Sequence, residues 1–309
     1  MTEYIPRKTN KCRKIFSRLI LLFMISLLLY WLWNRHHILS QILINLGHTL
    51  ILTICLILTI SILLLSCSFT ILIRGIGYPF RYRDGYHSLN ISQIAAIIPG
   101  KIWGFASLSG LLLSHGILRR DSILIIFLHT LLSLSAAVLV GIISLTPMIG
   151  WAYTLLCLLP MLILLLRRSW CERIRMRFIG GSSALPSSRD ILCVLGLGLC
   201  SWVLVSVCFA ILIYSIKGPT HISPFLIASA FAAGYIGGFI SPLTPAGLGV
   251  REGIITAILG PGLGGEQVMA IALIFRTVHM AVIWIHVGFT ALCMSYTASP
   301  SVKPIIQHK

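Results

Sequence analysis

Runs of apolar residues too long for a soluble core recur along this chain, and two of them are broken midway by glycine, proline and charge. Unbroken runs fall at about 17–33, 49–73, 122–146, 150–166, 190–214 and 267–295. A hydrocarbon core about 30 Å thick takes roughly 20 apolar residues in a helix, so each run reads as a span once tilt is allowed. The broken segments lie at about 88–115 and 225–260. One holds Ile98-Pro99-Gly100-Lys101-Ile102-Trp103-Gly104; the other holds Ser241-Pro242-Leu243-Thr244-Pro245-Ala246-Gly247-Leu248-Gly249-Val250-Arg251-Glu252-Gly253. Proline lacks a backbone donor and glycine tolerates unusual dihedrals, so neither stretch continues as one helix. Broken backbone at membrane depth requires protein or a water-filled cavity to satisfy it.

Composition agrees with a membrane bundle. Hydrophobic residues make up 57% and charged residues 10% of the chain, against about 25% charged in a soluble domain. The expected fold is all-α: a polytopic bundle of about eight helical elements, two of them re-entrant hairpins. The domain reading is a basic cytoplasmic tail over 1–16, one transmembrane domain over 17–296, and a second cytoplasmic tail over 297–309. Leu19 to Trp33 follows a basic tail as a signal peptide would. No small-residue cleavage site follows it, and Trp31 and Trp33 read as an interfacial belt, so it is expected to be a retained anchor. The stretch 38–48 reads either as an interfacial helix or as an extension of the next span. No room is left for a soluble catalytic domain.

The net charge of +17 would suit nucleic acid on a soluble surface. Here the cations sit in short loops between spans, which is the positive-inside pattern, and no nucleic-acid partner is expected. The basic tail before Leu19 places the N-terminus in the cytoplasm. Arg74, Arg81 and Arg83 precede the first broken segment, and Arg119 and Arg120 follow it. A single crossing would put one of these clusters outside; a hairpin that enters and returns keeps both inside. Arg167, Arg168, Arg173, Arg175, Arg177 and Arg189 mark a further cytoplasmic loop. The second hairpin then enters from the outside, and Lys303 and Lys309 return to the cytoplasm. Full crossing by every helix is the alternative. Hairpins from opposite faces are compatible with an inverted repeat, and broken helices in corresponding halves point to a transported-substrate site.

Few residues carry chemistry. Lys101 follows Pro99 and Gly100 at the first tip. A buried cation costs about 2.5–3.5 kcal/mol on insertion scales, so it either contacts an anion or snorkels to the interface. At the second tip, Gly247 and Gly249 leave backbone N–H groups open to an anion, with Pro245 before them. Arg251 can grip a phosphate through two parallel hydrogen bonds. Glu252 is the one acid placed at membrane depth. It either relays a proton or neutralises Arg251 or Arg276 as an internal pair. Arg276, His279 and His286 fall within about 80° of arc on the last span and share a face. His129 reads as a packed core residue. Trp103, Phe105, Tyr235 and Phe239 could line an acyl-chain groove, or simply pack. The nine cysteines read as small core residues. No metal site, cofactor fingerprint, Walker loop or catalytic triad is present in the sequence, so neither cofactor nor enzymatic activity is expected.

The phrase IPGKIWGFASLSGLLLSHGI, Ile98 to Ile117, resembles the first signature of the lysylphosphatidylglycerol synthase transmembrane-region family, a flippase-like family. SPLTPAGLGVREGIITAIL, Ser241 to Leu259, resembles its second, a Pro-x-Gly-x-Gly-x-Arg-Glu-Gly block, and Arg276 matches an arginine in the helix that follows. The resemblance implies about eight helices with re-entrant elements and lipids with charged or phosphorylated headgroups; the expected location is a bacterial cytoplasmic (inner) membrane, and the expected lipid is anionic or phosphorylated. Bifunctional members move aminoacylated phosphatidylglycerol and carry a C-terminal synthase domain; this sequence holds none, and aminoacyl transfer is not expected.

The expected function is lipid translocation. Lys101, Arg251 and Arg276 would hold the headgroup, and Glu252 would balance charge or relay a proton. Two rival readings stand beside it. One is a non-transporting scaffold for a glycosyltransferase acting on polyprenyl-phosphate lipids, or for another lipid-modifying enzyme. The other is an embedded transferase using a lipid-phosphate donor.

Overall fold

The computed structural model describes residues 47–96, 102–152, 185–218, 221–241 and 247–295. Those residues form eight helices and no strands. They are α1 (His48–Gly75), α2 (Tyr82–Ala95), α3 (Ile102–Ser114), α4 (Arg119–Ile149), α5 (Ser188–Lys217), α6 (Pro224–Ile240), α7 (Val250–Leu263) and α8 (Gly265–Ser295). Helices α1, α4, α5 and α8 are long and apolar enough to cross a membrane, and they coincide with four of the six expected spans. The expected span 17–33 and most of 150–166 lie outside the described residues.

Local signals set the helix ends. Ser187 and Asp190 form a reciprocal capping box at the start of α5, satisfying two donors that a helix N-terminus leaves unpaired. Ser223 caps α6 through the Leu226 N–H, with Pro224 at the first helical position, where its missing donor is no loss. Helix α2 begins at Tyr82 rather than near 88. The charges in Tyr82-Arg83-Asp84 read as loop, but Asp84 lies in the first turn, where the helix dipole favours an anion.

The bundle consists of two halves with the same order: span, helical pair, span. Helices α1 and α5 pack along their length and run antiparallel. The Cys208 thiol reaches the Ile54 carbonyl, and at the other end Gly75 abuts Asp190 and Pro186. Ser61 and Ser201 meet between those ends. Each hydroxyl approaches the other's backbone carbonyl at 3.3 Å, and the two Oγ atoms are 2.7 Å apart. Each is the fourteenth residue of its helix, counted from the N-terminal residue. A reciprocal contact between equivalent residues is the mark of a two-fold relation.

The remaining packing obeys the same relation. Helix α2 packs on α8 as α6 packs on α4, and α3 packs on α4 as α7 packs on α8. Tyr86 of α2 bonds His286 of α8, while Ser229 of α6 bonds the Gly141 carbonyl of α4 at 3.1 Å. Because α1 and α5 are antiparallel, the two halves are inverted relative to one another.

Each helical pair turns back on itself. The feet of α2 and α3 meet at one end of the bundle. There Phe80 stacks edge-on against His115 at 5.2 Å, and the Tyr78 hydroxyl both donates to Asp121 and accepts from the Leu118 N–H. The feet of α6 and α7 meet at the other end, where Gly262 abuts Ile222 and the Tyr214 hydroxyl donates to the Ile222 carbonyl. These four helices have 13 to 17 residues, so each rises about 20–25 Å, short of a full hydrocarbon crossing.

Candidate functional site

The second pair owes its close approach to glycine. A Cβ on Gly234 of α6 would fall 2.9 Å from the Arg251 carbonyl and 2.7 Å from Ile255, and Gly238, four residues on, sits against Arg251 and Gly247. Small residues at this spacing let two helix backbones nearly touch in an apolar bundle. Gly247 itself has φ +75°, and a Cβ there would lie 2.7–2.9 Å from the backbone of Gly238. Only glycine suits both the dihedral and the space.

That contact fixes the start of α7 and hence its two charges. The Glu252 side chain, 1% exposed, turns back so that Oε2 accepts from the Gly249 N–H at 2.8 Å. Its Oε1 accepts from Arg276 Nη1, also at 2.8 Å. The internal pairing expected for Glu252 is therefore made with Arg276. It joins α7 to α8, and in a water-poor interior such a pair holds only with short, well-aligned hydrogen bonds. Arg251 points elsewhere. Its guanidinium carbon lies 4.5 Å from the Phe231 ring centroid and 5.4 Å from that of Tyr235. Aromatic faces attract a cation, by about 2 kcal/mol when desolvated. Among the described residues Arg251 forms no ion pair with a carboxylate.

Arg251, Arg276, Phe231 and Tyr235 line a cavity of about 510 Å³ at the centre of the bundle. It lies between the two helical pairs and reaches Ser61 and Ser201 on the two-fold contact. Arg251, Arg276 and His279 form one polar side. The His279 ring packs edge-on to Phe275 at 6.2 Å and makes no hydrogen bond among the described residues. Phe105, Tyr235 and Phe239 line the cavity as the groove reading expected, but Trp103 does not: it is 54% exposed on the outside of α3. Its position, two residues from Phe105, turns it about 200° away on the helix.

The shared face of α8 is borne out. Arg276 and His279 face the cavity, and His286 is buried between Tyr86 and Thr59. His129 is buried as expected, against the Phe69 ring at 5.0 Å and near the Ser68 hydroxyl, yet it also reaches the cavity wall. Lys101, Pro99, Gly100 and Pro245 lie outside the described residues. Gly247 and Gly249 are placed at the second turn, both with positive φ.

Sequence reading passed over the opposite wall. Gln93, Thr130 and Ser133 line the cavity across from Arg251 and Arg276. The available signal was the three-residue spacing of Thr130 and Ser133 within an otherwise apolar span, which puts both on one face. The glycine spacing at 234–238 was also there to be read.

A comparison with family models matches residues 15–286 to the lysylphosphatidylglycerol synthase TM region. No curated protein matches the chain.

Proposed function

The chain belongs to the lysylphosphatidylglycerol synthase transmembrane-region family, so it is a multi-pass membrane protein, and on that premise we propose that it translocates an anionic or phosphorylated envelope lipid. The observation that carries this reading is the central cavity with Arg251 on its wall. A guanidinium held against Phe231 and Tyr235, with Glu252 committed to Arg276, can still pair with a phosphate. Arg276 supplies a second positive centre and Glu252 keeps it oriented. Lys101, which falls between α2 and α3 in the sequence, would supply a third cation to the same headgroup.

The two short helical pairs act as re-entrant hairpins entering from opposite faces of the cytoplasmic membrane, with both chain termini in the cytoplasm. Such a layout places a substrate site near the midplane between inverted halves. Rocking of one half against the other about the α1–α5 contact exposes the site to each side in turn. The route for the acyl chains runs past the aromatic residues Phe105 and Phe239.

The test uses purified full-length protein in phosphatidylcholine vesicles carrying a trace of fluorescent anionic phospholipid, with movement read by quenching of the outer leaflet. Arg251→Glu is expected to slow movement at least about tenfold, because a carboxylate repels the phosphate that arginine attracted. Unchanged movement by a correctly inserted variant overturns the site. Wild-type protein that inserts, moves no lipid and retains a glycosyltransferase on purification favours the scaffold reading instead.

A further inference from the structure

The two cavity walls are built from equivalent positions but carry different chemistry. Helices α4 and α8 each have 31 residues. Thr130 and Arg276 are each the twelfth residue of their helix, and Ser133 and His279 each the fifteenth. Gln93 of α2 and Tyr235 of α6 are each the twelfth of theirs. All six line the cavity. The two-fold relation therefore puts two hydroxyls and an amide across from arginine, histidine and tyrosine.

The neutral wall has hydrogen-bonding capacity to spare. Thr130, Ser133 and Gln93 make no hydrogen bond among the described residues. Hydroxyls within helices can bond back to the carbonyl one turn earlier, as Ser66 and Thr70 do here. Thr130 and Ser133 do not. Polar groups left unpaired away from bulk water are costly, so such a wall is stable when water or a ligand completes it.

We propose that this wall is a second subsite, which binds the neutral, hydroxyl-bearing part of the headgroup while Arg251 binds its phosphate. The proposal rests on the headgroup-site reading above and adds a substrate class: a phospholipid whose phosphate carries a polyol or sugar. Hydroxyls of such a headgroup can both donate and accept, which matches Thr130, Ser133 and the Gln93 amide. A headgroup ending in a methyl group offers this wall nothing. The selectivity would come from unpaired wall groups that penalise the wrong ligand, a stronger discriminator than shape alone.

The experiment compares two lipids of equal charge, phosphatidylinositol and phosphatidylmethanol. Full-length protein in phosphatidylcholine nanodiscs is doped with one or the other, and bound lipid is counted by native mass spectrometry. Wild type is expected to prefer phosphatidylinositol by at least about fivefold, the scale of one or two hydrogen bonds. The Thr130→Val, Ser133→Ala double variant should bind both lipids at the phosphatidylmethanol level, and Thr130→Ser, which keeps the hydroxyl, should retain the preference. Equal binding of the two lipids by wild type overturns the subsite. So does a preference that survives in the double variant, or a double variant that loses both lipids. Failure of wild type to enrich either lipid over phosphatidylcholine overturns the phosphate site as well, which separates the two claims.

Discussion

The pairs α2–α3 and α6–α7 occupy equivalent places in two inverted halves, yet among the described residues only the second seats a buried ion pair. Helix α2 is polar, with Ser88, Asn90 and Ser92 all buried; Tyr86 bonds it to His286 of α8, while the Asn90 amide donates to the Tyr86 carbonyl within α2 itself. Helix α6 is almost wholly apolar and is held by backbone proximity along its glycine seam. Both pairs close on small residues: a Cβ on Gly104 of α3 would fall 3.0 Å from the Ser92 carbonyl of α2 and 2.8 Å from Ala96; they differ in the polar side chains buried along α2 and the charges at the start of α7. The difference teaches that the symmetry of the fold makes the cavity, while departures from it in sequence make the site. The close approach of α6 and α7 carries Glu252 to Arg276 and leaves Arg251 to the aromatic rings.

The sharpest way to break this comparison is to remove the ion pair. Glu252→Gln removes the carboxylate that pairs with the Arg276 cation in the interior. A loss of about 3–5 kcal/mol is expected, read as the thermal or denaturant midpoint of purified protein in detergent, with much of it recovered when Arg276 is also neutralised to Gln. A loss no larger than that of a lipid-facing substitution would remove the contrast between the pairs.

A smaller effect separates the tight turn of the second pair from the open one that follows α3. Gly247→Ala places a Cβ against the Gly238 backbone at a positive φ, for a loss of about 1–3 kcal/mol. Gly116, just beyond α3, also has positive φ, but nothing lies within 4 Å of its missing Cβ. Gly116→Ala should therefore lose only the dihedral preference, about 1 kcal/mol. Equal losses at the two sites, measured in the same unfolding series, would show that the seam does not tighten the second turn.

The smallest effect tests the symmetry itself. A double-mutant cycle on Ser61→Ala and Ser201→Ala should give a coupling of about 0.6 kcal/mol, typical of hydrogen bonds between membrane helices. Equal single losses are expected, because the contact is reciprocal. A single-site loss at one serine only would mean the two-fold relation does not extend to the energetics.

The legible part of the molecule was the part set by local chemistry. Four spans were visible as apolar runs, and both breaks were visible as glycine and proline. The pairing of Arg276, His279 and His286 on one face followed from the helical repeat alone. The start of α2 was not legible, because Tyr82-Arg83-Asp84 reads as a charged loop until the feet of the first pair are seen to meet. Nor was the role of Trp103, whose side chain leaves the cavity by rotation about the helix.

By itself, then, the chain's order of residues decided that it lies in a membrane, where its helices break, and which charges travel with the breaks. Those properties depend on neighbours within a few turns and on the energy of leaving water. Which partner Glu252 takes, that Arg251 faces rings instead, and that Thr130 and Ser133 stand opposite Arg276 and His279 were settled only by tertiary packing. Each of those relations joins residues far apart in the chain, and it is the inverted pairing of α1 with α5 and the glycine contact of α6 with α7 that bring them together.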